Sequence, residues 1–475
     1  MAFQSINPAT EAVLATFDQF TPAQTEAALA EADAAFREWR RRSVEARGSL
    51  MQRAASLLKE RKSRYAGLIT AEMGKPIAAA EAEIEKCAWV CDFYAEHAEQ
   101  FLADEAVRTD ARASYVAFEP LGVVLAVMPW NFPFWQVFRF AAPTLMAGNT
   151  ALLKHASNVP QCALAIEEVF QDAGLPRGAF RTLLLPGDAV DSAIADRRVR
   201  AVSLTGSDLT GEKVAAAAGR ALKKTVLELG GSDPFIVLAD ADLEAAAATA
   251  VKARFQNAGQ SCIAAKRFIV EAKVAAEFEE LFRVGIERLK IGDPTDRGVD
   301  IGPLARGDLR DALDRQVQAS VDKGARVAVG GKAIEARGYF YEPTLLTQVT
   351  REMPVLAEET FGPVAALVQV PDADAAIVLA NDTQFGLGAS LWTGDLERAR
   401  QLAARIEAGS VFVNAMVASD PRLPFGGVKR SGFGRELGVF GIHEFVNIQT
   451  VWIAEGRRTT PKDAGGRQKT GAAVE

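Results

Sequence analysis

Histidine is scarce in this chain. His97, His155 and His443 are the only 3 among 475 residues, and none is near another in sequence. A metal site or a histidine-based nucleophilic triad would need the fold to gather them, so neither is expected. Cysteine is scarce as well: 4 in so long a chain argue against a disulfide framework and for a reducing compartment. Cys87 and Cys91 stand i and i+4 on an expected helix, unlike the Cys-x-x-Cys spacing of zinc or redox sites, and Cys162 lies on an apolar helix face. All three are expected to pack as small hydrophobes. No apolar run approaches the roughly 18 uncharged residues that span a bilayer. The stretch from Met1 to Glu11 lacks the basic-then-apolar pattern of a secretory signal. A net charge of −7 gives no basic surface for nucleic acid. A cytoplasmic enzyme of two or three domains is the expectation.

Helical periods dominate the start. Thr21-Pro22 reads as an N-cap and first-turn proline for a helix to about Arg41, followed by helices near Val44–Ile69 and Ile77–Gln100. From Ala113 the period changes. Ser114–Glu119 alternates as a half-buried strand, and Gly122–Met128 is a continuous apolar run of the buried parallel kind. Strands at 151–154, 181–185, 201–204 and 225–229 then alternate with helices, which is a doubly wound α/β pattern that binds nucleotides at strand carboxyl ends. A second α/β series begins at Pro234–Leu238 and continues through a helix from Asp242 to about Asn257, with later strands at 267–270, 363–370, 388–392 and 410–413. The tail at 456–475 lacks an apolar period and is expected to fray.

The chemistry centres on Arg254-Phe-Gln-Asn-Ala-Gly-Gln-Ser-Cys262-Ile-Ala-Ala-Lys266. Glycine and small residues around Cys262 permit tight bends and close ligand approach, and a helix terminus with free amides would favour the thiolate near neutral pH. Asn131, pinned in Pro129-Trp130-Asn131-Phe132-Pro133 at a strand's carboxyl end, is an amide donor suited to an oxyanion. Glu228 ends the strand 225–229 before Gly230-Gly231; partial burial there would raise its pKa into the range of a general base. Leu204-Thr-Gly206-Ser207-Asp-Leu-Thr-Gly211, between a strand and a helix, offers backbone amides to a phosphate. Glu358-Glu359-Thr-Phe361-Gly-Pro363 and Pro424-Phe-Gly-Gly-Val-Lys-Arg-Ser-Gly432 are loops too elaborate for plain connectors.

These motifs, in this order along nearly the whole chain, resemble the aldehyde dehydrogenase superfamily, within it most nearly the bacterial succinate-semialdehyde dehydrogenases. The resemblance implies a Rossmann-type cofactor domain (1–101 and 121–230), a second α/β catalytic domain (231–425) and a small β oligomerisation ribbon (102–120 with 446–455). It implies an NAD- or NADP-dependent oxidation of aldehyde to acid. Cys262 would attack the carbonyl, Asn131 and the Cys262 amide would hold the oxyanion, and Glu228 would activate water against the thioester. Trp130, Lys154, Ser157, Gly206, Ser207, Gly211, Glu359 and Phe361 would bind cofactor. Relatives that strongly prefer NAD carry glutamate where Ser157 stands, so NADP is also admitted. Phe140 replaces a proton-relaying lysine of some relatives, leaving Glu436, water or backbone for that task. Ala264 replaces a second cysteine used elsewhere for redox gating. Arg139 matches a substrate arginine, whereas Gln256 replaces its usual companion, and Arg422 is expected to supply the missing charge. The resemblance also implies a homodimer or homotetramer. Two alternatives remain: an enzyme for another small aliphatic or carboxylated aldehyde, or one that passes its acyl group to coenzyme A. Intact Cys262, Glu228 and Asn131 count against a catalytically silent relative.

Overall fold

A computed structural model describes residues 2–455 of the protein, so the expected tail lies outside the described residues. The chain begins with a hairpin rather than a helix: β1 (Ala2–Ile6) pairs antiparallel with β2 (Val13–Asp18). Its strands are mostly exposed, so no alternation announces them. The turn is set by Asn7, whose Oδ1 accepts from the Ala9 and Thr10 amides at 2.9 and 3.2 Å.

Helix α1 (Pro22–Trp39) starts as expected, with Thr21 and Gln24 capping each other reciprocally. The single helix expected over 44–69 is two, α2 (Val44–Glu60) and α3 (Lys62–Met73), because the backbone leaves helical geometry at Arg61 (φ −102°, ψ 18°). Neither glycine nor proline marks the break. Arg61 is instead held by an ion pair to Asp172, distant in sequence, at 2.5 Å. Then come α4 (Ile77–Phe101), β3 (Glu105–Ala106) and β4 (Ala113–Pro120).

Strand and helix then alternate through β5 (Val123–Met128), α5 (Trp135–Met146), β6 (Thr150–His155), α6 (Pro160–Asp172), β7 (Phe180–Thr182), α7 (Val190–Ala195), β8 (Val199–Thr205), α8 (Asp208–Arg220) and β9 (Lys224–Glu228). These strands form a parallel sheet in the order β7-β6-β5-β8-β9, which reverses direction between β5 and β8. Such a switch point leaves a crevice at the strand carboxyl ends. All six residues of β5 are buried. Val124, Ala126 and Met128 face a core shared with α4 and α5, and Val123, Leu125 and Val127 face another shared with α1 and α8.

The second series comprises β10 (Asp233–Val237), α9 (Leu243–Phe255), β11 (Ala265–Glu271), α10 (Ala275–Glu287), α11 (Gly307–Asp322), β12 (Arg326–Val329), β13 (Thr344–Thr347), α12 (Pro354–Ala357), β14 (Val364–Val370), α13 (Ala373–Asn381), β15 (Gly388–Trp392), α14 (Leu396–Ala403) and β16 (Ser410–Val413). It makes a seven-stranded sheet in the order β12-β13-β14-β11-β10-β15-β16, parallel except for β12 against β13. Strand β12 escapes the sequence reading because it is short and lies at the sheet's edge, and β13, buried beside it, because it is only four residues long. After β16 the chain returns to the first sheet, adding β17 (Gly432–Phe433) antiparallel to β9. It closes with α15 (Gly438–His443) and β18 (Val446–Ile453). Strand β18 pairs with β4 along its whole length, in a three-stranded sheet β18-β4-β3. The two expected ribbon segments therefore satisfy one edge of each other, leaving the outer edge of β18 unpaired among the described residues.

Candidate active site

Helix α9 stops at Phe255, and the chain reverses through Asn257 (φ 55°) and Ala258 (φ 52°), both left-handed, and Gly259 (φ 70°). A Cβ on Gly259 would lie 2.2 Å from the Gly362 carbonyl oxygen, so only glycine admits this approach. The reversal brings Cys262, half-buried, to a cavity wall while Gln260 and Ser261 stay buried. The wholly buried ammonium of Lys266 holds the loop in shape: it donates to the carbonyls of Ser261 (3.0 Å), Cys262 (2.8 Å) and Ala264 (3.1 Å).

Asn131 follows the end of β5 and meets this loop. Its side-chain amide donates to the Gln260 carbonyl at 3.1 Å, and Asn257 donates to the carbonyls of Asn131 (2.9 Å) and Gln260 (3.0 Å). The amide is thus not wholly free, as the sequence suggested. One hydrogen fixes the side chain and the second is left for a ligand. Glu83 of α4 secures the same segment from behind. Its Oε1 accepts from the Phe134 and Trp135 amides, at 2.9 and 3.0 Å, capping α5 where no local side chain does so. Its Oε2 pairs with buried Lys75, whose ammonium sits 3.7 Å from the Phe132 ring centroid.

Glu228, at the end of β9, is buried with neither carboxylate oxygen hydrogen-bonded. Space for it comes from Gly426 in the Pro-Phe-Gly-Gly loop, where a Cβ would stand 2.7 Å from Glu228 Oε1. Burial pushes the Glu228 carboxyl well above its ordinary range; the nearby Arg139 guanidinium opposes this and the Glu436 carboxylate adds to it. Arg139 itself, buried on α5, forms an ion pair with buried Glu436 and lies 4.6 Å from the Phe425 ring. Phe140 packs edge-on against Phe445 at 5.8 Å, so no proton path runs through that position.

The Cys262 thiol is pushed up to about 12, chiefly by burial, with Arg139 and Lys266 opposing. This corrects the expectation of a resting thiolate: the preceding helix α9 ends seven residues earlier, at Phe255, and burial dominates at the sulfur. Cys262 faces a cavity of about 360 Å³ whose lining includes Lys86, Phe132, Trp135, Gln136, Arg139 and Phe425.

The expected cofactor residues gather near the switch point. Trp130 and Phe361 meet edge-to-face at 5.8 Å. Glu359 Oε1 accepts from the Gly231 amide at 3.0 Å and lies 3.8 Å from Lys266 Nζ. A Cβ on Gly230 would fall 2.4 Å from Glu359 Oε2, so glycine forms the cradle for this carboxylate. Lys154, on β6, is largely buried, which depresses its pKa, and forms no ion pair among the described residues. Ser157, three residues on, is exposed. Gly206 precedes α8, and Ser207 caps that helix, accepting from the Thr210 amide at 3.3 Å. Gly211 lies under Leu229, 2.6 Å from a would-be Cβ, and serves the packing of α8 against the sheet. A half-buried ammonium without an ion pair among the described residues, a helix start and a cradled carboxylate fit a dinucleotide's phosphates and ribose, and the two rings its nicotinamide.

The profile of the aldehyde dehydrogenase family matches residues 1–451. The chain belongs to the aldehyde dehydrogenase family. It is 55% identical over 454 residues to the protein of Synechocystis sp. named "Probable succinate-semialdehyde dehydrogenase, NADP(+)", covering 96% of this chain and 100% of that one. It is 50% identical over 448 residues to the Escherichia coli K12 protein named succinate semialdehyde dehydrogenase, NAD(P)+, Sad, covering 94% and 97%. The crystal structure of succinic semialdehyde dehydrogenase from Streptococcus pyogenes in complex with NADP+ superposes with a TM-score of 0.94 at 39% identity, covering 96% of this chain and 100% of that one.

One expected residue does not join the site. The Arg422 side chain is 68% exposed, ion-paired to Asp420 at 2.6 Å and 5.6 Å from the Trp89 ring, and it is absent from the cavity lining. The two-residue spacing Asp420-Pro-Arg422 allows that local pair, which outcompetes a reach into the cavity. Sequence reasoning passed over Lys266, Asn257, Glu83 and Lys86. The first two lay inside the motif around Cys262. Glu83 and Lys86 sit on α4, about 50 residues before α5, and read there as solvated helix charges.

Proposed function

We propose that this protein oxidises succinate semialdehyde to succinate, with NADP or NAD as hydride acceptor. The observation that carries the reading is a cavity of about 360 Å³ in which the Cys262 sulfur shares the wall with the cations of Arg139 and Lys86. A small aldehyde bearing a carboxylate suits that combination, and the names of the relatives agree with it. Trp130, Lys154, Ser157, Gly206, Ser207, Glu359 and Phe361 are the residues that would hold the cofactor.

Cys262, once deprotonated, adds through Sγ to the aldehyde carbon, and the carbonyl π electrons move to oxygen. The second hydrogen of the Asn131 amide and the Cys262 N–H receive that oxyanion; losing one such donor raises the barrier by about 2.7–4 kcal/mol. The nicotinamide cofactor, when bound, supplies the hydride acceptor. The acyl group is left on Cys262 as a thioester. Glu228, as carboxylate, takes a proton from water while the water oxygen adds to the acyl carbon, and the C–S bond breaks to give acid and thiol. Raised pKa values keep both reacting groups in their neutral forms at rest.

Two sheets, two tasks is the division this reading implies, with 1–101 and 121–230 binding dinucleotide and 231–425 carrying the nucleophile. The exposed side chains of Ile448, Trp452 and Ile453 on the free edge of β18 support pairing between two copies of the chain. A free-thiol nucleophile suits the reducing cytoplasm, and no helix among the described residues is long and apolar enough to cross a membrane. Absorbance at 340 nm with succinate semialdehyde and butanal, each with NAD and NADP, tests the proposal. Preferential oxidation of succinate semialdehyde supports it; no oxidation of that compound with either cofactor overturns it.

A further inference from the structure

Two cations of the cavity lining form no ion pair among the described residues, Lys86 and Lys252; Lys252 is exposed on α9, which leaves Lys86 as the half-buried one. Of the charges around it, Arg139 is paired with Glu436, Lys75 with Glu83, and Asp420 with Arg422. Lys86 is half-buried on α4 and forms no ion pair among the described residues. Its Nζ donates to Ser419 Oγ at 2.8 Å and stands 4.3 Å from the Trp135 ring centroid. A hydroxyl and an aromatic face aim an ammonium without neutralising it. Arg139, the cation expected from sequence to receive the substrate, already spends its charge on Glu436 and reaches Thr205 Oγ1 at 3.4 Å.

We propose that Lys86, aimed by Ser419 and Trp135 in the cavity that Cys262 also lines, is the specificity residue that binds the substrate's distal carboxylate. This rests on the reading of the substrate as a carboxylated aldehyde and supplies the second charge that Arg422 does not. The surroundings support it. Burial and the neighbouring Arg139 bring the Lys86 ammonium down to about 8, while Cys87, Asp420 and Glu83 pull the other way. A carboxylate arriving between Arg139 and Lys86 relieves that repulsion. Above about pH 8 the ammonium loses its proton and with it the attraction.

The test compares kcat and KM for succinate semialdehyde and butanal in the wild type, Lys86→Met and Lys86→Arg, with Tm measured for each. In Lys86→Met the KM for succinate semialdehyde should rise about 10- to 100-fold, the loss of one charge-assisted contact, and the preference over butanal should fall with it. Lys86→Arg should restore most of that preference. In the wild type, the KM for succinate semialdehyde should rise above pH 8, and in Lys86→Arg it should not. A Lys86→Met enzyme with an unchanged substrate preference overturns the proposal. Should Lys86→Met fail to fold, the wild-type pH profile decides: a preference over butanal that stays flat from pH 7 to 9.5 overturns it. A wild type with no preference for succinate semialdehyde overturns the substrate reading itself, whatever the variants do.

Discussion

At the scale of single residues, the site is built from groups held in their neutral forms. Cys262 is a thiol pushed up to about 12 and Glu228 an acid raised by burial. Both must lose a proton to act, so the rate of the free enzyme should climb with pH instead of levelling near neutrality. Carbamidomethylation of Cys262 by iodoacetamide checks this most simply. Its rate should keep increasing from pH 7 to pH 10, and a plateau below pH 8 would mean a thiolate at rest. The other cysteines, Cys87, Cys91 and Cys162, are buried with thiols raised well above the ordinary value, so they should not contribute. The types of the main residues were legible in the sequence because nucleophile, amide and base each sit in short loops punctuated by glycine or proline. The raised carboxyl of Glu228 was legible from its place at a strand end, whereas the raised thiol of Cys262 was not, since it depends on how far the fold buries the sulfur.

Among elements, the parallel strands were the easiest to read. Strand β5 is apolar throughout because helices cover both its faces, and that leaves a plain mark in the sequence. The hairpin β1–β2 and the edge strand β12 bury little and leave no such mark, and β13, though buried, is only four residues long. The break between α2 and α3 was hidden for another reason: an ion pair to α6 stabilises it. The N-terminus of α5 shows the same tertiary dependence, being capped by Glu83 from α4. Glu83→Gln removes the charge that pairs with buried Lys75 and should cost about 3–5 kcal/mol, as breaking a buried pair does. Denaturant unfolding measures it, and a loss under 1 kcal/mol would show that the pair contributes little.

For the molecule as a whole, the catalytic base is a liability to stability. An isolated Glu228 carboxyl titrates near 4.5, and burial in the folded chain raises that value. The folded state therefore resists ionisation, and its stability is present below about pH 4.5 and declines as pH rises toward the folded value. Glu228→Gln should be more stable than the wild type by about 1–3 kcal/mol at pH 8, seen as a higher melting temperature, with little difference at pH 5. Equal melting temperatures at both values would contradict the assignment of Glu228 as an unpaired buried acid. Two sheets related by loops at Cys262 and Glu359, with the chain returning to pair β17 with β9, make such a local cost a property of the whole structure.

The single carboxylate of Glu83 also joins two parts of the molecule in time. One oxygen holds the Phe134 and Trp135 amides and the other holds Lys75, so the floor of the pocket opens only when α4 moves away. In deuterated buffer those two amides should exchange as slowly as the centre of α4 and at the same rate as each other, rather than with the fast kinetics usual for the first turn of a helix.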